Sequence, residues 1–162
     1  MSSKVTNIVI AGLGGQGVLT ASDIVAEVAA SAGLDVKKSE IHGMSQRGGS
    51  VTSDVRFGDK VYSPMVPDGQ ADFLVATAAD QVPVNVAVLR PDGVVIVPSR
   101  VDAAKLRDKK SLNVALLGAL SRYLPFPEEA WIAVIRRGLP EKLHEVNFQA
   151  FALGREADGS PE

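Results

Sequence analysis

The chain of 162 residues contains no cysteine. That absence excludes disulfides, thiolate zinc sites, cysteine-held iron–sulfur clusters and cysteine nucleophiles within it. Charge of one sign is not in excess either: 17 Lys and Arg stand against 19 Asp and Glu, a formal net charge of −2. Such a balance gives no global field for a polyanion and argues against nucleic acid as a partner. No stretch approaches the roughly 20 apolar residues that cross a bilayer. The N-terminus opens Met1-Ser2-Ser3-Lys4, and the apolar run at 8–11 breaks at glycine too early for a signal peptide, so a cytoplasmic protein without membrane contact is expected. Aromatic residues make up only 5%, whereas glycine occurs fifteen times. This imbalance suits a backbone that approaches something closely and helices that pack tightly on a sheet. With 46% hydrophobic and 22% charged residues the chain has apolar mass for one core, and its length is that of one domain.

Residues 5–12 form a β-branched run without polar alternation, the pattern of a central strand covered on both faces. A glycine-rich turn follows, Gly12-Leu13-Gly14-Gly15-Gln16-Gly17. Val18, Ala21, Ile24, Val25 and Val28 then recur at helical spacing, and Gly33 ends that helix as its C-cap. A second, partly polar strand over 34–41 runs into the loop His42-Gly43-Met44-Ser45-Gln46-Arg47-Gly48-Gly49. Residues 50–57 and 60–63, with Gly58-Asp59 between them, predict an inserted hairpin. Strands are expected at 71–77 and 93–98, with a helix over 80–90 between them. Amphipathic helices are expected over 113–124, 127–137 and 140–153. No repeat or linker divides this pattern. It predicts one α/β domain over residues 1–154, a three-layer α/β/α Rossmann-like fold with a mixed sheet and a helical C-terminal cap, and a polar tail over 155–162.

Gly12, Gly14 and Gly17 satisfy the G-x-G-x-x-G pattern between a strand and a helix, where free amides at the helix start can face an anion. The alternative is that these glycines only pack a tight turn. Glu40, near the end of the second strand, stands roughly where a dinucleotide-binding domain holds the ribose. The hairpin expected after it departs from that pattern, and a stand-alone NAD(P)-binding module is kept as the second reading. Gln16 can donate and accept at once, reading a phosphate or a partner carbonyl, or capping its own helix. Arg47 offers a planar fork for phosphate or carboxylate, or braces its loop against Glu40 or Asp54. His42 is a hydrogen-bond donor to a ligand or a partner for buried carbonyls. Trp131, beside Ile132, Val134 and Ile135, reads as core or subunit contact.

The turn over 12–17, the segment Glu40-Ile41-His42-Gly43-Met44-Ser45-Gln46-Arg47-Gly48-Gly49, the triplet Tyr62-Ser63-Pro64 and the pair Ala71-Asp72 stand in one order. Together they resemble the gamma-type domain of the 2-oxoacid:ferredoxin oxidoreductases, strongly over about residues 5–100, and within that family a short, separate subunit of the indolepyruvate type. The resemblance implies a large alpha subunit carrying thiamine diphosphate, Mg2+ and 4Fe-4S clusters, coenzyme A as co-substrate, and electrons delivered to ferredoxin. On this reading the present chain holds none of those cofactors alone. Its binding residues would be Gly12, Gly14, Gly15, Gln16, Gly17, Glu40, His42, Gly43, Ser45, Gln46, Arg47, Gly48 and Gly49. No residue is singled out as catalytic and none as a metal ligand.

Overall fold

A computed structural model describes residues 4–42 and 49–156. Its centre is a five-stranded mixed sheet made of β1 (Thr6–Leu13), β2 (Asp35–His42), β3 (Ser50–Gly58), β4 (Ala71–Ala76) and β5 (Leu89–Ile96), in the order β2-β3-β1-β4-β5. β3 runs antiparallel to both β2 and β1, while β4 and β5 continue in parallel from β1. β1 is therefore central and buried on both faces, as its run of Ile, Val and Ala requires.

The two faces differ in depth. Ile8 and Ile10 of β1, Val51, Val55 and Phe57 of β3, and Phe73 and Val75 of β4 turn to one side. There they meet α1 (Val18–Ser31), α3 (Leu112–Ser121), α4 (Glu128–Gly138) and α5 (His144–Glu156), around a buried Trp131 set between Phe126 and Phe151. Val9, Ala11, Ala71 and Leu74 face the other way and meet a thinner layer. It consists of Val66, the short α2 (Gln81–Asn85) and a 3-10 turn at Val86–Val88. The large apolar side chains left most exposed include Ile41, Met65, Val84 and Val86 of this thin side.

Gly33, at φ +87°, closes α1 as expected: its amide donates to Ala30 O, and the Leu34 amide reaches back to Ala29 O. The hairpin is different from the expectation. β3 pairs with β2 across the 43–49 loop, and residues 60–63 are not a strand. The reason is that β1 and β2 already occupy both edges of β3. The chain after Gly58 instead crosses the thin face as a strap tied by side chains. Asp35 accepts from the Val61 amide at 2.8 Å, Arg56 donates to Ser63 O at 2.8 Å and Met65 O at 3.3 Å, and Asp54 accepts from the Val66 amide at 2.9 Å. The Val61 amide and the nearby Lys37 and Lys60 lower the pKa of Asp35, while burial raises that of Asp54. The helix expected over 80–90 is limited to α2 and the 3-10 turn, and β5 starts at Leu89. The register of β4 against β5 shifts between Ala71 and Phe73, which admits this longer strand. α5 runs through Glu156, two residues into the predicted tail.

Candidate functional site

β1 ends in the glycine turn, and α1 starts immediately after it. Gly15 and Gly17 take φ of +87° and +76°, a region open to glycine and strained for other residues. Gly17 is the N-cap of α1 and supplies no side chain, so the first-turn amides have no side-chain cap; the first turn holds no acidic residue either. The positive end of the helix is thus left uncompensated by the capping side chain that usually satisfies it.

The Gly14 amide donates to Gly49 O at 2.9 Å, which ties the turn to the far end of the 43–49 loop. Between the two motifs lies a cleft of about 240 Å3, lined among others by Gly14, Gly15, Gly17, Thr20, His42 and Val51. His42 is the last residue of β2, and its pairing with Val51 of β3 places it on the α1 side of the sheet. An imidazole, a glycine backbone and the start of a helix therefore border one small space. Such a space can receive a phosphate, a carboxylate or a carbonyl oxygen.

The remaining sequence candidates divide. Gly12 lies beneath the turn, where a Cβ would come within 1.9 Å of Thr77 Oγ1. Gln16 turns toward the same threonine: its Oε1 accepts from the Leu13 amide at 2.8 Å and from Thr77 Oγ1 at 2.7 Å. It does not cap its helix. Glu40 is exposed and pairs with Lys38 at 3.2 Å, and Lys38 also binds Asp23. Burial alone would lower the Lys38 pKa, but the two carboxylates outweigh it and raise it. Because β3 intervenes between β2 and β1, Glu40 stands one strand away from the position a ribose-binding carboxylate holds beside the glycine turn. Gly43, Ser45, Gln46, Arg47 and Gly48 lie outside the described residues.

Two residues that sequence reading missed hold the turn from behind. Thr77 follows β4, and Asn113 of α3 donates from Nδ2 to Gly17 O at 3.1 Å. Asn113, which with Ser121 is one of only two polar side chains in the Leu112–Ser121 helix, was the signal for the second; Thr77 gave none. Among the described residues no cluster of three or more His, Cys, Asp or Glu could hold a metal ion, and no helix is long and apolar enough to cross a membrane. A magnesium–diphosphate cofactor therefore finds no carboxylate cradle in the described part of this chain, and an iron–sulfur cluster finds no thiolate anywhere in it.

Comparison with known proteins agrees with the motif pattern. Residues 7–157 match the family model of pyruvate ferredoxin/flavodoxin oxidoreductase. The chain is 36% identical to the indolepyruvate oxidoreductase subunit IorB of Thermococcus kodakarensis, over 95% of this chain and 96% of that protein. Among solved structures, the gamma subunit of keto/oxoacid ferredoxin oxidoreductase from Geobacter sulfurreducens superposes with a TM-score of 0.78 at 25% identity, covering 95% of this chain and 96% of that one. The 2-oxoglutarate:ferredoxin oxidoreductase of Magnetococcus marinus, solved with 2-oxoglutarate, coenzyme A and succinyl-CoA, shares the fold at a TM-score of 0.82 and 23% identity. There 98% of this chain corresponds to 32% of a longer one. The chain belongs to the pyruvate ferredoxin/flavodoxin oxidoreductase family, as a small subunit of a multi-subunit oxidoreductase that acts on 2-oxoacids.

Proposed function

We propose that this chain completes by positioning the active site of an indolepyruvate-type 2-oxoacid:ferredoxin oxidoreductase in the cytoplasm. Its large alpha partner holds thiamine diphosphate, Mg2+ and the 4Fe-4S clusters. The overall reaction takes a 2-oxoacid and coenzyme A to an acyl-CoA and CO2, and the released electrons go to ferredoxin. Decarboxylation and electron transfer belong to the partner. The observation that carries this chain's share is the cleft in which the uncapped start of α1 meets His42, with the Gly14–Gly49 bond holding both motifs together.

In that cleft the amides of the turn and of the first helical turn receive a substrate anion, either a coenzyme A phosphate or the 2-oxoacid carboxylate. His42 donates a hydrogen bond beside it, and Arg47 offers the anion a planar fork. Holding one reactant in place converts part of a bimolecular encounter into a positioned one, which is the contribution a subunit without redox groups can make. The apolar side chains left open on the thin face support a chain that works inside an assembly.

The test is reconstitution with the large subunit. Ferredoxin reduction dependent on 2-oxoacid and coenzyme A is expected only from the two together. Calorimetric titration of the chain alone with NAD or NADP is expected to show no tight binding. Arg47→Ala should raise KM for coenzyme A or for the 2-oxoacid by roughly tenfold, about 1.4 kcal/mol of lost binding. Tight dinucleotide binding by the isolated chain, or an Arg47→Ala complex with unaltered turnover and both KM values, would refute the proposal.

A further inference from the structure

We propose that the groove on the thin face is where the large partner subunit docks, and that it takes from that subunit one Lys or Arg side chain carried between apolar residues. The inference rests on the proposed reading that this chain works in complex with such a partner, and it adds the surface and the chemistry of the contact.

The groove lies between the strap at 65–68 and the turn at 84–88, and it encloses about 210 Å3 over a floor of Val9, Thr52 and Asp54. That is room for one long side chain. Its walls include Ile41, Met65 and Val84, all exposed, and the exposed Val86 belongs to the same turn. Of the large apolar side chains left this open among the described residues, only Tyr62 stands apart, beside Leu34 and Asp35. Exposed apolar surface is thus gathered on one side of the sheet, while four helices seal the other. Such a concentration marks an interaction site.

The floor has the opposite character and says what covers it. Asp54 lines the groove although it is only 8% exposed. Its Oδ2 accepts from the Val66 amide at 2.9 Å; among the described residues Oδ1 has no hydrogen-bond partner and the carboxylate no ion pair. Arg56 is near but turned away, donating to Asn7 Oδ1 at 2.8 Å and to the Ser63 and Met65 carbonyls. Asp68 adds a second, exposed carboxylate to the lining, and among the described residues no Lys, Arg or His lines the groove. A buried carboxylate without a close counter-charge costs the isolated chain stability, in keeping with the raised pKa of Asp54. A cation supplied from outside turns that burden into a charge pair, and apolar neighbours around it keep water out. A second copy of this chain does not fit, because a two-fold contact through this face brings carboxylates toward carboxylates.

The experiment measures the Kd between this chain and the large subunit, together with the thermal midpoint of each variant chain. Asp54→Asn keeps an oxygen for the Val66 amide and removes the charge. It should weaken binding at least about tenfold while the midpoint of the isolated chain at pH 7 equals or exceeds that of the wild type. Val84 is 68% exposed, so charge of either sign is tolerated there by the fold. Val84→Lys repels the incoming cation and Val84→Glu attracts it, and the glutamate variant should bind at least about tenfold more tightly than the lysine variant. Should Asp54→Asn fail to fold, the Val84 pair decides. In the assembled enzyme the amides of 65–68 and 84–88 should exchange hydrogen more slowly than in the free chain. Wild-type affinity in Asp54→Asn with equal affinities of the two Val84 variants overturns the inference and leaves the proposed function standing. Loss of self-association in Val84→Lys with unchanged binding to the large subunit assigns the groove to a second copy and overturns it as well. If the wild-type chain neither binds the large subunit nor restores ferredoxin reduction, both fall.

Discussion

Gly15 and Gly17 sit two residues apart and both take a positive φ, +87° and +76°, yet their surroundings differ. A Cβ on Gly15 meets nothing within 4 Å, whereas one on Gly17 would run into the Asn113 side chain at 2.3 Å. Gly15→Ala should therefore cost only the backbone strain, about 1 kcal/mol, and Gly17→Ala about 2 kcal/mol or more, as read from urea unfolding midpoints. Equal costs would mean that Asn113 does not grip the turn. Asp54 gives a second prediction of this kind. Burial raises its folded pKa above the unfolded value of 3.8, so the folded state holds the proton more tightly. Its contribution to stability is present in full below pH 3.8 and is lost as pH rises through the raised folded pKa. At neutral pH the charged form is a burden that the Val66 amide only partly offsets. Asp54→Asn keeps an oxygen for that amide, so its thermal midpoint at pH 7 should equal or exceed that of the wild type. The difference between the two should close as pH falls through the titration of Asp54. A midpoint well below wild type at pH 7 would show that the carboxylate is needed charged.

Between helices, α3 and α5 approach closely through Gly118 and Gly154. A Cβ on Gly154 would lie 1.8 Å from Ala115 O, and one on Gly118 would lie 2.2 Å from Phe151 O, in both cases against backbone that cannot swing aside. Gly154→Ala should lower stability by about 3 kcal/mol or more despite the better helix propensity of alanine. Gly138→Ala at the end of α4, with open space around it, should change it by less than about 1 kcal/mol. Chemical denaturation of the pair separates crossing geometry from propensity. The same contrast explains what was legible in advance. β1, α1 and the Gly33 cap follow from local pattern, since a fully apolar run, a 3.6-residue period and a left-handed glycine each act over a few residues. The glycine turn was legible as a motif for the same reason, whereas residues 43–48 lie outside the described ones. The local composition of the 60–63 segment permits a strand. Its course is decided by β1 and β2 filling the edges of β3, and by Asp35, Asp54 and Arg56 holding it on the face. Thr77 and Asn113 escaped notice because their partners lie 61 and 96 residues away.

At the scale of the whole molecule, the position of β3 sets the site apart from a dinucleotide-binding one. Insertion of an antiparallel strand between β1 and β2 carries Glu40 away from the turn and brings His42 and Val51 to the cleft instead. The lack of cysteine fits the proposed division of labour, in which redox groups sit on the partner and this chain supplies backbone amides, an imidazole and shape. The central claim is that an anionic substrate group sits against the glycine turn in the assembled enzyme. Its most direct measurement is a comparison of Gly15→Asn and Gly15→Asp in the reconstituted complex, because both residues tolerate positive φ, have nearly the same volume and differ in charge. The account predicts that KM for coenzyme A or for the 2-oxoacid is at least about tenfold higher in the aspartate variant than in the asparagine variant, with equal thermal midpoints. Identical KM values in the two variants would contradict it.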